Sequence, residues 1–181
     1  MNKMTTIGLD LAKNVFHVIG CDRHGKVVRK KMLRRKEVMH FFSQVPPCLV
    51  GMETCSGAHY WAHQLISLGY EVKLIPAQYV KPFVQGNKND YNDALAIAEA
   101  VVRPTMRFVT PKTIAQQDIQ ALHRLRERRL QERTALSNQV RGLLAEYGLV
   151  LPLGVSVLRR QLPELLEDAE NGLSGLFRQL L

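Results

Sequence analysis

Residues 4–21 read MTTIGLDLAKNVFHVIGC, two apolar runs of strand character joined by Ala12-Lys13-Asn14, and this stretch decides the fold. So short a polar connection between runs 4–11 and 15–21 predicts an antiparallel hairpin. Asp10 closes the first run. Past the turn Asp22-Arg23-His24-Gly25, a third strand over 26–33 completes a meander. Residues 35–45 then predict a helix with Val38, Phe41, Phe42 and Val45 on one face, stopped by Pro46-Pro47. A buried strand over 48–52 ends at Glu53, and a helix over 58–68, introduced by Ser56-Gly57, ends at Gly69. A strand over 71–75 follows, so strand, helix and strand stand in the order of a parallel crossover. Residues 79–88, with Pro82 and Gly86, predict a loop at the mouth of the sheet. The next helix starts at Asp90 or Tyr91 and ends at Val102, before Pro104. Its first turn carries Asp90 and Asp93 three apart, hence on one face and at the positive end of the helix dipole.

After Thr110-Pro111 the character changes to a long Arg-rich helix over 113–147, closed by Gly148. Ile119, Leu122, Leu125, Leu136, Val140, Leu143 and Leu144 form an apolar stripe, interrupted over 124–133, which predicts pairing as a helical hairpin or a dimer. Pro152 breaks the chain, and a last helix runs over 164–169 and then 173–181. Two domains are expected, 1–110 and 111–181, and the uncapped final helix leads us to expect a fragment of a longer protein.

Composition bounds the function. The 181 residues suffice for a real core, and 46% hydrophobic content excludes disorder. No apolar run approaches the roughly 20 residues of a membrane span, and the N-terminus does not read as a signal peptide, so a soluble, cytosolic protein is expected. Cys21, Cys48 and Cys55 form no CxxC pair, which argues against a disulfide framework and a zinc knuckle. A net charge of +9 and a pI near 9.7 point to polyanionic partners. Arg23, Lys26, Arg29, Lys30, Lys31, Arg34, Arg35 and Lys36 follow one another without an acid. That run is either a solvated surface or, on a hairpin beside an acidic site, a grip on a phosphate backbone.

The acids carry the chemistry. Asp10, Glu53, Asp90 and Asp93 lie at three separated places that the expected fold brings together. Two bare carboxylates about 4 Å apart repel by roughly 4 kcal/mol at an effective dielectric near 20, so a group of four takes up protons or binds cations. In a basic chain, Mg²⁺ and a phosphate backbone are the natural completion. His59 and His63 stand four apart, a zinc-compatible spacing, but without an evident third ligand packing is the better reading. Ser56 reads as a helix cap, with no base beside it.

The order of elements is that of the ribonuclease H-like fold: a mixed α/β sheet with flanking helices, here followed by an all-helical extension. TIGLDLAKNVFHV, GMETCSGAHYW and KNDYNDALAIAEA resemble the three catalytic blocks of the DEDD transposases of the insertion sequence 110 family, whose N-terminal domain is RuvC-like. The resemblance covers 4 to about 110, and the Arg-rich helices are similar to that family's coiled-coil segment. It implies that Asp10, Glu53, Asp90 and Asp93 are catalytic and hold two divalent cations, Mg²⁺ or Mn²⁺, about 3.5–4 Å apart. It also implies DNA phosphodiester cleavage and strand exchange guided by a structured (bridge) RNA. The nucleophilic serine of that family lies in a C-terminal domain outside this chain. Expected partners are DNA, guide RNA and further copies of the chain, joined through the helical extension, with no membrane, in a prokaryotic cytoplasm at the nucleoid. Candidate nucleic-acid contacts are Lys13, Arg29, Lys30, Lys31, Arg34, Arg35, Lys88, Arg124 and Arg128, with Arg126, Arg129 and Arg133 beside them; the helical arginines read equally as solvated surface. Alternatives are a Holliday-junction resolvase, a non-catalytic nucleic-acid-binding module, and an actin-like ATPase, for which Ala12-Lys13-Asn14 supplies no glycine-rich phosphate loop.

Overall fold

The computed structural model describes residues 3–84 and 89–181, which divide into two compact units, 1–113 and 114–181. The first unit is built on a five-stranded sheet in the order β3-β2-β1-β4-β5. Its strands are β1 (Thr6–Leu11), β2 (Val15–Cys21), β3 (Val27–Arg34), β4 (Leu49–Glu53) and β5 (Glu71–Ile75). β2 runs antiparallel to β1 and β3, while β1, β4 and β5 are parallel. This is the mixed sheet expected of a ribonuclease H-like chain, with the hairpin turning over Ala12-Lys13-Asn14 as predicted.

Period-two alternation sends side chains to opposite faces of this sheet. On one face Ile7, Leu9, Phe16, Val18, Val50 and Met52 pack against α1 (Val38–Ser43) and α2 (Ala58–Ser67) in one buried core. Phe16 meets Trp61 edge to face at 5.1 Å. The buried Tyr70 hydroxyl donates toward the carbonyls of Phe42 and Val45, at 2.7 and 2.6 Å, tying down the end of α1. On the other face α4 (Asp90–Val101) lies almost on the backbone of the sheet. Gly8 and Gly51 are register partners on β1 and β4. A Cβ on Gly8 would stand 1.9 Å from the Ala94 carbonyl oxygen, and one on Gly51 2.8 Å from Val101 Cβ. Two glycines facing the alanine-rich side of a helix therefore set how closely α4 approaches.

Three expectations need correction. The helix over 35–45 is a 3₁₀ turn, Arg35–Glu37, followed by the short α1. Part of the expected loop over 79–88 is helical: α3 (Ala77–Val80) runs into a 3₁₀ turn, Lys81–Phe83. Pro82 falls in the first turn of that 3₁₀ segment, where a missing N–H costs nothing. Residues 85–88, including Lys88, lie outside the described residues. Ser56 does not cap α2; the cap position is Gly57, with φ +86° and no side-chain hydrogen bond.

The second unit contains α5 (Ile114–Ala145), α6 (Val155–Glu167) and α7 (Gly175–Leu180). α6 begins nine residues before the helix expected at 164 and continues through Pro163, which sits on its exposed side. Leu144, Leu158 and Leu173 are buried hydrophobic points of this unit, Ser137 of α5 is buried as well, and Tyr147 and Phe177 approach to 4.5 Å. Arg141 donates to the carbonyls of Pro152 and Gly154, and Arg178 to those of Leu166 and Asp168. Ile119, Leu122, Leu125 and Leu136 of the apolar stripe are exposed. Among the described residues no helix is long and apolar enough to cross a membrane.

Candidate functional site

Asp10 lies two residues after Gly8 on β1, and Glu53 two after Gly51 on β4, so both share the face on which α4 packs. Both stand at the C-terminal ends of their strands. α4 starts at that same end because the Asn89 side chain accepts the Tyr91 N–H at 2.9 Å, which fixes the first helical turn and puts Asp90 and Asp93 in it. The two glycines that admit α4 thus also bring its acids to those of the sheet.

The acids sense one another. Burial pushes the Asp10 carboxyl from 3.8 up to about 6, reinforced by the negative charges of Asp93, Asp90 and Glu53 and opposed by His17. Glu53 is raised by burial and by Asp93, with Lys81 pulling the other way. Among the described residues, no three His, Cys, Asp or Glu side chains are already gathered into a ready-made ion cage. The donor set nevertheless fits a hard divalent cation: every one of the four offers carboxylate oxygen, and the excess negative charge is part of what makes Asp10 hold its proton.

Sequence reasoning missed two residues here. Lys81, read as part of a loop, is the cation that acts on Glu53. His17 pairs with Asp10 across the β1–β2 hairpin and lies on the same face. Its Nδ1 stands 3.6 Å from Asp90 Oδ2, and its ring meets Tyr91 edge to face at 4.8 Å. Counting symmetrically outward from Ala12-Lys13-Asn14 would have found it.

The basic strand splits between the two faces. Lys30 and Arg34 are register partners of Ile19 and Val15, which share the face of His17, and Lys30 Nζ lies 5.9 Å from the Tyr91 ring centroid. Arg29 and Lys31 stack instead over Phe41, at 5.0 and 5.3 Å, on the opposite face from the acids. Arg35 stacks on Trp61 at 5.2 Å and donates to the Lys13 carbonyl, so it braces the hairpin whose exposed tip carries Lys13. Arg124 and Arg128 are exposed on α5 in the second unit, where Arg128 pairs with Glu132 at 2.8 Å. His59 accepts the Lys112 backbone N–H at 3.2 Å and His63 Nε2 lies 2.8 Å from its carbonyl, so both grip the segment after the sheet, a packing role.

Residues 7–149 match the family model of the insertion sequence 110 DEDD enzymes, described as transposase. The chain is 46% identical over 200 residues to a probable family 20 transposase of Pseudomonas aeruginosa, covering 98% of this chain and 59% of that protein. It is 46% identical to the transposase for insertion sequence element IS1328 of Yersinia enterocolitica, covering 88% and 48%, and 41% identical to that for IS1111A of Coxiella burnetii, covering 100% and 50%. The chain thus spans about half the length of the curated relatives it matches. Among solved structures, Thermus thermophilus RuvC aligns with a TM-score of 0.45 and 12% identity, over 59% of this chain and 100% of that one.

Proposed function

This chain belongs to the insertion sequence 110 family of DEDD transposases, and on that premise we propose that its first 110 residues are a metal-dependent catalytic domain for DNA phosphodiester cleavage and strand exchange. The carrying observation is the convergence of Asp10, Glu53, Asp90 and Asp93 at one end of the sheet, with Asp10 pushed up to about 6. In this reading the four carboxylates are the catalytic residues and hold Mg²⁺, with Mn²⁺ an acceptable substitute. The bound cation would supply Lewis-acid charge neutralisation at the scissile phosphate. Lys30 and Arg34 hold the DNA backbone on the face of the acids, and Lys81 restrains Glu53. Lys13, Arg29, Lys31, Lys88, Arg124 and Arg128 contact nucleic acid, including the guide RNA, while Arg35 supports the hairpin. Residues 111–181 are the helical extension, whose exposed stripe of Ile119, Leu122, Leu125 and Leu136 joins copies of the chain. The protein works in a prokaryotic cytoplasm, at the nucleoid.

The test has two parts. Mn²⁺ binding to the chain, read from the loss of the free-ion electron paramagnetic resonance signal, is expected to disappear in Asp10→Asn and Glu53→Gln. DNA cleavage by the full-length transposase is expected to require divalent metal and to be lost in the same variants. Undiminished Mn²⁺ binding and cleavage in both variants would refute the reading.

A further inference from the structure

His17 is a buried group beside the acids to which the proposed chemistry assigns no task. Its side chain is only 10% exposed, and Nδ1 is buried with no hydrogen-bond partner among the described residues. A buried polar nitrogen without a partner is an exception that calls for a cause. The nearest candidate is Asp90 Oδ2 at 3.6 Å, just beyond hydrogen-bonding range. The two sides of this pair differ in freedom. His17 is locked by the β1–β2 ladder opposite Asp10 and by the edge of Tyr91, whereas the Asp90 side chain is 61% exposed and can turn.

We infer that His17 is a positioning residue of the acid cluster, its Nδ1–H donating to Asp90 Oδ2 and holding that carboxylate turned toward Asp10 and Glu53 when a divalent cation is bound. Carboxylate ligands on the first turn of a helix have rotamer freedom, and a fixed donor behind one of them lowers the cost of assembling the set. The placement accounts for the missing partner, because a shift of a few tenths of an ångström in the exposed Asp90 side chain suffices to bring Oδ2 from 3.6 Å within reach of Nδ1. His17 donates through a ring fixed by strand pairing, and Asp90 belongs to the helix seated on Gly8 and Gly51, so the contact also ties the helix to the hairpin. This inference rests on the metal reading proposed above.

The experiment compares Mn²⁺ affinity in the chain and three substitutions at this position. His17→Asn places an amide nitrogen near the position of Nδ1, His17→Gln places it near that of Nε2, and His17→Phe keeps the edge contact with Tyr91 without a donor. Asn is expected to retain affinity within about threefold, and Gln and Phe to lose about tenfold, at the lower end of the loss usual when a supporting partner of a ligand is removed. In an Asp90→Asn background the Gln substitution is expected to add nothing, because the two residues act through one contact. A nitrogen-15 spectrum of the metal-loaded chain is expected to show Nδ1 as the protonated ring nitrogen. Equal affinities for His17→Asn and His17→Gln, an undiminished Gln effect in the Asp90→Asn background, or an Nε2–H tautomer would each overturn the inference. If Asp10→Asn abolishes Mn²⁺ binding while His17→Gln leaves it unchanged, the role of His17 alone is overturned; if Asp10→Asn also leaves it unchanged, the metal reading falls with it.

Discussion

Asp10→Asn is expected to stabilise the metal-free protein, an unusual sign for a change in the core of a sheet. The Asp10 carboxyl rises from 3.8 to about 6 on folding, because of burial and of the charges of Asp93, Asp90 and Glu53. A rise of that size corresponds to about 3 kcal/mol, and since the group is only partly buried, solvent screening reduces this to about 1–2 kcal/mol. The folded state binds this proton more tightly than the unfolded chain does. Below pH 3.8 both states are protonated and Asp10 costs nothing; the cost grows as pH rises through about 6 and is complete above it. The asparagine variant keeps the shape without the charge, so the gap between the two proteins is near zero at about pH 3.5 and about 1–2 kcal/mol at about pH 7.5. For a chain of this size that is about 2–8 °C in melting temperature. Urea unfolding and melting curves at both pH values, each in chelator and in millimolar Mg²⁺, measure it. Mg²⁺ is expected to stabilise the wild type and leave the variant unmoved. A variant that is no more stable at the higher pH, or a gap that does not change with pH, would refute the electrostatic account of the cluster.

Gly8→Ala places a methyl group against the Ala94 carbonyl oxygen and Ala98, backbone and helix rather than a flexible side chain, and is expected to cost about 3 kcal/mol or more with α4 displaced. A denaturation midpoint like that of the wild type would show that α4 does not sit so close. Tyr70→Phe removes the donor shared by the Phe42 and Val45 carbonyls and is expected to lower stability by about 1–2 kcal/mol in chemical denaturation, with no change in Mn²⁺ binding. For duplex DNA, Lys30→Ala is expected to reduce the log–log salt slope of binding by about 0.9, one phosphate contact, at a site where cleavage is also impaired. Lys31→Ala, stacked over Phe41 on the other face, is expected to leave cleavage of bound DNA unchanged, and equal effects of the two on cleavage would contradict the division of the strand.

What the sequence made legible follows from the range of the forces involved. The hairpin of residues 4–21 and the crossover after Glu53 depend on local apolar runs and tight connections, so their order predicted the sheet. The short α3 and its 3₁₀ continuation are hidden because proline reads as a breaker, whereas in the first turn of a helix it is tolerated. The same assumption hides the start of α6, which runs through Pro163. The basic run of β3 reads as one feature along the chain, but alternation divides it, and only Lys30 and Arg34 share the face of the acids. His17 carries no local signal at all, since its meaning arises from pairing with Asp10 across a turn and from a helix that begins far along the chain, at Asp90.

The position of α4 decides how closely the acids of the helix approach those of the sheet. A helix N-terminus stabilises a nearby anion by about 0.3–1 kcal/mol, which suffices for an ordinary pair such as Asp90 and Asp93. Bringing that turn to the ends of β1 and β4 adds Asp10 and Glu53, whose carboxyls are both raised, by burial first and then by the charge of Asp93. Moving the helix outward would relieve this, and any side chain larger than hydrogen at positions 8 and 51 would do so. The register pairing of Gly8 with Gly51 does the reverse, seating α4 against the backbone and holding the charges together. The close seat of α4 therefore maintains a cost of burial and of like charge at Asp10 that protonation relieves and that, on the proposed function, a bound divalent cation would also relieve.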